Sequence, residues 1–370
     1  MRRSIGLLAE RYSKWERRAA LTPSHVERLV RTGVDCLVQP STRRIFADSE
    51  YERVGARLTD DLSGASAILG VKQPANGSLL ADKTYLFFSH VIKAQPENMA
   101  LLDEVLEKRV RLIDYECVRE NGGGSMPRLV AFGEFAGKAG VINGLRGLGC
   151  RLLGLGHSTP FISIGPAHSY LDYADACRAV GAAGQRIAAE GLPTDISPLV
   201  VTVAGTGNVS RGACHALSAL GEETLKWVTP DELPALSALH GQPGDHQKHV
   251  YVCVAGTEHF VRKRDGGGAS DGSFDKQHYY TSPHEYEPTF HESIAPHTSL
   301  LVTTMYWEKR SPPLLTLDQL ANLPKTKPLL AVADLTCDVG GAVESLVRTT
   351  SVDAPFFLFD VDQRRESDNG

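Results

Sequence analysis

The stretch PLVVTVAGTGNVSRGACHALSALG, residues 198–221, constrains this 370-residue chain more than any other. A run of apolar β-formers leads into Gly205-x-Gly207-x-x-Ser210, and a helical pattern follows. A strand without polar alternation is buried on both faces, as in a parallel sheet covered by helices. In such a strand–turn–helix unit the first glycine permits the tight turn. The second lets a pyrophosphate approach the backbone, and the helix N-terminus offers unpaired N–H groups and its positive dipole end. Serine at the third position departs from glycine but is still small. The expected dinucleotide contacts are therefore Gly205, Gly207, Asn208, Val209, Ser210 and Arg211.

The next apolar run, TLKWV (224–228), is expected to be the strand whose end meets the adenosine ribose. An NAD-specific site carries an acid there. This chain has Val228 and Thr229, with Asp231 and Glu232 the nearest acids, and Arg211 lies in the glycine turn. NADP(H) is therefore favoured over NAD(H), which stays open.

The rest of the chain alternates short apolar runs with amphipathic segments. SIGLLA (4–9), DCLVQP, AILGV (67–71), TYLFF and RLIDYE read as strands, and 22–33, 47–56 and 98–110 as helices. Thr22 is suited to cap the first helix, Pro23 to its first turn, and Val26, Leu29 and Val30 form its apolar stripe. Residues 131–149 hold six glycines in nineteen yet keep helical spacing. Glycine costs a helix interior up to ~1 kcal/mol per residue, so such a helix is expected where another backbone packs very close. It reads as a connector between domains. Residues 171–190 read as a helix, and 299–307 and 329–335 as buried strands. The GGG at 122–124 reads as a surface turn. The region 240–297, with eight of the thirteen histidines and the segment RDGGGASDGSFD, reads as a long polar loop. The expected fold class is α/β, with two Rossmann-like domains, parallel sheets and an interdomain cleft.

The net charge of −5 argues against a nucleic-acid surface, which needs a basic excess. Seven scattered cysteines without a C-x-x-C pair read as reduced thiols rather than a disulfide framework or zinc site. The histidines show neither H-x-x-x-H nor H-E-x-x-H spacing, so no metal is expected. No run reaches the length of a membrane helix. No transit peptide is visible before the first strand, so the chain reads as intracellular and as cytoplasmic rather than mitochondrial.

Two apolar runs end on basic groups: Lys72 after AILGV, then His90 and Lys93 after TYLFF. Parallel strands ending at one sheet edge would deliver proton-transfer groups to one place. The segments WERRAALTP, ILGVKQP, FFSHVIKAQ, LIDYE, RLVAFGEFAG, GTGNVS and ADLTCDVGG, in this order, resemble the lysine–ketoglutarate reductase domain, the first half of animal and plant aminoadipic semialdehyde synthases. The chain is also similar to lysine-forming saccharopine dehydrogenase of fungi and, more remotely, to alanine dehydrogenase and transhydrogenase nucleotide domains. The resemblance implies condensation of lysine with 2-oxoglutarate and reduction by NADPH to saccharopine. It implies His90 as the acid–base group for water loss and Lys72 as the handler of the secondary-amine proton. A lysine does this near neutral pH only if burial or neighbouring cations lower its pKa. Arg18 and Arg128 would bind substrate carboxylates, as arginine pairs with them bidentately. Lys93 would join them. Glu116 would orient Lys72 or receive the lysine amino group, and Asp334, rather than Asp338, would face the cofactor.

The expected organisation is an alanine dehydrogenase-like substrate domain over 1–135, a dinucleotide-binding domain over 136–345, and a return segment over 346–370. The family continues past PFFLFDVDQ, so the return segment reads as truncated. This leaves two alternatives, a catalytically silent nucleotide- or lysine-binding regulatory protein and another amino-acid dehydrogenase of the same superfamily. The expected partners are small molecules: lysine, 2-oxoglutarate and saccharopine, with neither nucleic acid nor membrane. A homo-oligomer is compatible with all of this.

Overall fold

The computed structural model describes residues 3–120, 128–264, 274–326 and 329–367, with Glu97 described by its backbone. The GGG turn at 122–124 and the glycine-rich segment 265–273 lie outside the described residues. The chain forms two compact units, Met1–Ala131 and Phe132–Gly370. The boundary falls at 131/132, not at 135/136, and the segment expected to return groups with the second unit.

The first unit is a six-stranded sheet. Its strands are β1 (Ser4–Leu7), β2 (Asp35–Val38), β3 (Arg57–Leu58), β4 (Ala67–Lys72), β5 (Thr84–Phe88) and β6 (Arg111–Asp114), in the order β3-β2-β1-β4-β5-β6. Every pairing is parallel. The helices between them are α1 (Pro23–Arg31), α2 (Asp48–Arg53) and α3 (Met99–Glu107). Helix α1 begins where its caps direct: Thr22 Oγ1 accepts from the His25 N–H at 3.3 Å and Pro23 occupies the first turn. Val26 is fully buried against Leu7, Cys36, Val38 and Tyr51. The sheet order reverses between β1 and β4. Connections leave these two strands in opposite directions, which opens a crevice beyond their carboxyl ends.

The second unit centres on five parallel strands: β7 (Leu199–Ala204), β8 (Leu225–Val228), β9 (Val250–Ala255), then, after β10 (Val261–Lys263) and β11 (Tyr286–Pro288), β12 (Leu300–Thr303) and β13 (Ala331–Asp334). Their order is β13-β12-β7-β9-β8. All six residues of β7 are buried, as its unbroken apolar run requires. Three helices pack here: α4 (Gly133–Gly154), α5 (Tyr173–Glu190) and α6 (Asn208–Ser218). Helix α4 lies wholly in the second unit, so it is not the connector the sequence suggests. Its glycines do what their density implies. A Cβ on Gly137 would lie 2.0 Å from the Val209 carbonyl oxygen, and one on Gly212 would lie 1.9 Å from the Glu134 carbonyl oxygen. The backbones of α4 and α6 therefore touch, while Val141, Leu145, Leu148 and Leu152 fill the core beside them.

The region 240–297 is not one loop. It contains β9, a buried central strand, and the antiparallel pair β10–β11. Phe260, Tyr279, Tyr286 and Phe290 are buried in a second core on that side of the sheet. The histidines mask this apolar content in the composition. Among the described residues no helix is long and apolar enough to cross a membrane.

Candidate functional site

In a parallel sheet all carboxyl ends share one edge. In the first unit that edge carries two clusters. The first lies at the crevice between β1 and β4. Glu10, just past β1, is buried and accepts the Val71 N–H at 2.6 Å and the Lys72 N–H at 3.0 Å. Burial pushes its carboxyl above the ordinary value despite these donors. Lys72 Nζ lies 5.4 Å from the Tyr12 ring centroid. Burial first, and then the Arg18 charge, lower the Lys72 pKa, with Glu16, Glu10 and Glu116 opposing. The lowering has the direction that the proposed lysine role requires. Arg18 is held by Glu16: Nε donates at 2.9 Å and Nη2 at 2.7 Å to its two oxygens. The guanidinium therefore meets a carboxylate of this chain in the geometry expected for a substrate's.

The second cluster lies beyond β5 and β6. His90 adopts the left-handed backbone conformation, φ 57° and ψ 6°, costly for a non-glycine residue. Asp114, buried at the end of β6, holds it there. One oxygen accepts from Ser89 Oγ at 2.5 Å and the His90 N–H at 3.1 Å, and the other accepts the Glu116 N–H at 2.8 Å. The His90 ring stacks on Phe88 at 6.3 Å between centroids, and Nδ1 lies 2.8 Å from Glu116 Oε2. Arg128 donates to Glu116 Oε1 at 2.9 Å, and Lys93 Nζ lies 3.8 Å from the same oxygen. Burial raises the Glu116 pKa, but the His90 hydrogen bond and the Lys93, His90 and Arg128 charges outweigh it and hold the carboxyl below the ordinary value. Beside this cluster burial, with Glu10 adding, pushes the Tyr115 hydroxyl up to about 12.

These contacts set what the groups can do. An ionised Glu116 only accepts, so His90 carries its proton on Nδ1 and leaves Nε2 to receive one. The structure places Glu116 on His90, Lys93 and Arg128 rather than on Lys72, which it influences only through its charge. Glu10, Glu16 and Asp114 escaped the sequence reading. The strand-end criterion that selects Lys72 selects Glu10 and Asp114 equally well, while Glu16 hides in the charged segment WERR.

The second unit supplies a different surface. Gly205 has φ +124°, and a Cβ there would lie 2.6 Å from Thr304 Oγ1, so only glycine fits. Among the described residues no atom beyond its chain neighbours lies within 4 Å of the Cβ position of Gly207. Beyond it Asn208, Val209 and Ser210 open α6, an 11-residue helix. Ser210 is buried and Arg211 exposed, its guanidinium 2.5 Å from Asn208 Oδ1. Asp334 Oδ1 accepts from Thr303 Oγ1 at 2.6 Å and Thr336 N at 3.0 Å, whereas Oδ2 is buried without a hydrogen-bond partner among the described residues. An open glycine turn, a helix start and an unsatisfied buried oxygen are the features a dinucleotide would fill. Among the described residues no cluster of three metal-ligating side chains occurs.

Comparison with known proteins agrees with this architecture. The family model "Alanine dehydrogenase/PNT, N-terminal domain" matches residues 6–136. An L-alanine dehydrogenase structure superposes with a TM-score of 0.54 at 17% identity, covering 96% of this chain and 80% of that one. That likeness shows the fold: α/β with two Rossmann-like domains. The alpha-aminoadipic semialdehyde synthase of Arabidopsis thaliana is 46% identical over 96% of this chain and 34% of its own length. The chain is homologous to the alpha-aminoadipic semialdehyde synthases. The Bos taurus protein, "Alpha-aminoadipic semialdehyde synthase, mitochondrial", is 41% identical over 97% of this chain and 39% of its own. The "Saccharopine dehydrogenase [NAD(+), L-lysine-forming]" of Emericella nidulans is 33% identical over 34% of this chain and 34% of its own. The chain thus spans between a third and two fifths of the synthases it matches. The expectation of a cytoplasmic location does not stand, because the bovine homologue is mitochondrial by name.

Proposed function

We propose that this chain condenses L-lysine with 2-oxoglutarate and reduces the product to saccharopine, using a nicotinamide dinucleotide. The observation that carries this reading is the 46% identity to a synthase along 96% of the chain. The strand-end clusters supply suitable chemistry. The lysine ε-amine adds to the ketone, the carbinolamine loses water, and the resulting imine is reduced to the secondary amine. His90 Nε2 takes up the proton released as the amine adds and delivers it to the carbinolamine hydroxyl, which leaves as water, with Glu116 stabilising the charged ring through Nδ1. Lys72 holds or releases the proton of the amine nitrogen. Arg18, Arg128 and Lys93 exchange their internal carboxylate partners, Glu16 and Glu116, for those of substrate. The dinucleotide supplies the hydride when bound, and Gly205, Gly207, the start of α6 and Asp334 would hold it.

The test is oxidation of NADH and NADPH, followed at 340 nm, with lysine and 2-oxoglutarate present. Turnover that requires both substrates is expected. Turnover with pyruvate and ammonia instead would point to alanine dehydrogenase chemistry. Dinucleotide binding without turnover would point to a regulatory protein.

The lowered Lys72 pKa gives the reaction a pH signature. Burial and Arg18 disfavour the ammonium, so the neutral amine forms below the ordinary lysine value of 10.5. In saccharopine oxidation the neutral amine is the base, so kcat/KM rises with pH and levels off below that value. Lys72→Met is expected to remove this limb together with about 10²–10⁴ of the rate. An unchanged limb in the variant would assign it to another group.

A further inference from the structure

In the first unit the end of β4 is held by a side chain where the ladder with β1 stops. β1 and β4 pair from Ile5↔Ala67 to Leu7↔Leu69, and the Leu8 N–H still donates to the Leu69 carbonyl at 2.9 Å. There the first chain turns toward β2. The Ala9 N–H donates to Gln39 Oε1 at 2.9 Å, and the Gln39 N–H to the Leu7 carbonyl at 3.0 Å. β4 continues through Gly70, Val71 and Lys72. On its other side the pairing with β5 shifts register between Leu69 and Lys72.

The buried Glu10 carboxylate takes over at this point. The Val71 N–H donates to Oε1 at 2.6 Å and the Lys72 N–H to Oε2 at 3.0 Å. In a regular strand successive N–H groups point to opposite neighbours. Here two in succession meet one carboxylate, which is the geometry of a bulge, and a bulge re-aims the side chains it carries. A Cβ on Gly70 would lie 3.3 Å from Glu10 Oε1, so the carboxylate rests against the strand itself. Both oxygens accept, so the carboxyl is ionised in this arrangement.

We infer that Glu10 is the positioning residue of Lys72: its carboxylate fixes the bulged end of β4 and thereby aims the lysine amine at the nitrogen of the substrate. The inference rests on the lysine and 2-oxoglutarate reading above. Glu10 acts through the backbone of Lys72, without touching substrate. Its charge has a second effect, favouring the Lys72 ammonium against burial and Arg18.

The experiment compares wild type with two variants. Glu10→Asp keeps the charge but is one methylene too short to reach both N–H groups. Glu10→Gln keeps the length but offers one acceptor. On the intact chain we would read kcat and KM for saccharopine formation, per folded molecule. We would also read the pH midpoint of Lys72 reductive methylation by formaldehyde and cyanoborohydride, followed by peptide mass spectrometry. In both variants kcat is expected to fall about tenfold to hundredfold, the scale of a misplaced catalytic group, with KM held within about threefold. In Glu10→Asp the lysine leaves its half-buried place, so its midpoint should rise toward the ordinary value of 10.5 although the neighbouring charge is kept. A purely architectural carboxylate would lower the thermal midpoint and leave kcat and the Lys72 midpoint unchanged, and that result overturns the inference. No wild-type turnover, with the Lys72 midpoint still raised in Glu10→Asp, would overturn the reaction and keep the positioning role. Glu10→Gln is nearly isosteric, so its kcat decides if Glu10→Asp fails to fold.

Discussion

His90→Asn is expected to lower the rate of saccharopine formation by about 10²–10⁴, the usual contribution of a positioned acid–base group. Asparagine is chosen because it tolerates the left-handed backbone better than alanine. The backbone at φ 57° and its bond to Asp114 then survive, and only the imidazole is lost. The thermal midpoint should move little, which separates lost chemistry from lost structure. Glu116→Gln should have a smaller effect. Its amide oxygen still accepts from Nδ1, but the negative charge that supports a protonated ring is gone. The order wild type, Glu116→Gln, His90→Asn in kcat, at similar thermal midpoints, is the expected result. A His90→Asn enzyme with near wild-type kcat would remove His90 from the chemistry.

The elements that the sequence shows most clearly are those whose environment leaves a uniform trace. β7 is buried throughout, β4 and β5 mix buried with half-buried residues, and all three read as apolar runs in parallel sheets. Helix α1 announces itself through Thr22 and Pro23. The glycines of the 131–149 segment forecast a backbone-on-backbone contact, which α4 makes with α6. Pairing is far less visible. VYVCVA (250–255) carries a strand's signature, yet histidines and glycines on both sides drown it in any average over the region. Overlooking one strand changes the neighbour of the glycine turn. The partners of charged groups are hidden for a related reason. Arg18 meets Glu16 only because the local backbone also turns the Arg18 N–H onto Glu16 Oε1, at 3.1 Å. Glu116 reaches His90 only because β5 and β6 are adjacent. Neither contact has a periodicity to betray it.

The contact between α4 and α6 yields the second large effect, because one substitution has opposite consequences at two places on one helix. Gly137→Ala places a methyl 2.0 Å from the Val209 carbonyl oxygen and 2.6 Å from the Ala213 nitrogen. Both are backbone atoms, so no rotamer change relieves the clash and the helices must separate. Overpacking of this kind costs about 1–3 kcal/mol, and a backbone obstacle puts it at the upper end. For a unit this size that lowers the thermal midpoint by roughly 6–12 °C. Gly154→Ala, in the last turn of the same helix, meets no atom within 4 Å among the described residues beyond its chain neighbours and its own helix backbone. There alanine only narrows the unfolded ensemble and improves helix propensity, a gain of about 0.4–1 kcal/mol. Calorimetry should therefore move the two midpoints in opposite directions. Gly137→Ala should also weaken dinucleotide binding, since Val209 belongs to the helix start that the diphosphate would meet. Equal midpoints for the two variants would mean that α4 and α6 do not touch through their backbones.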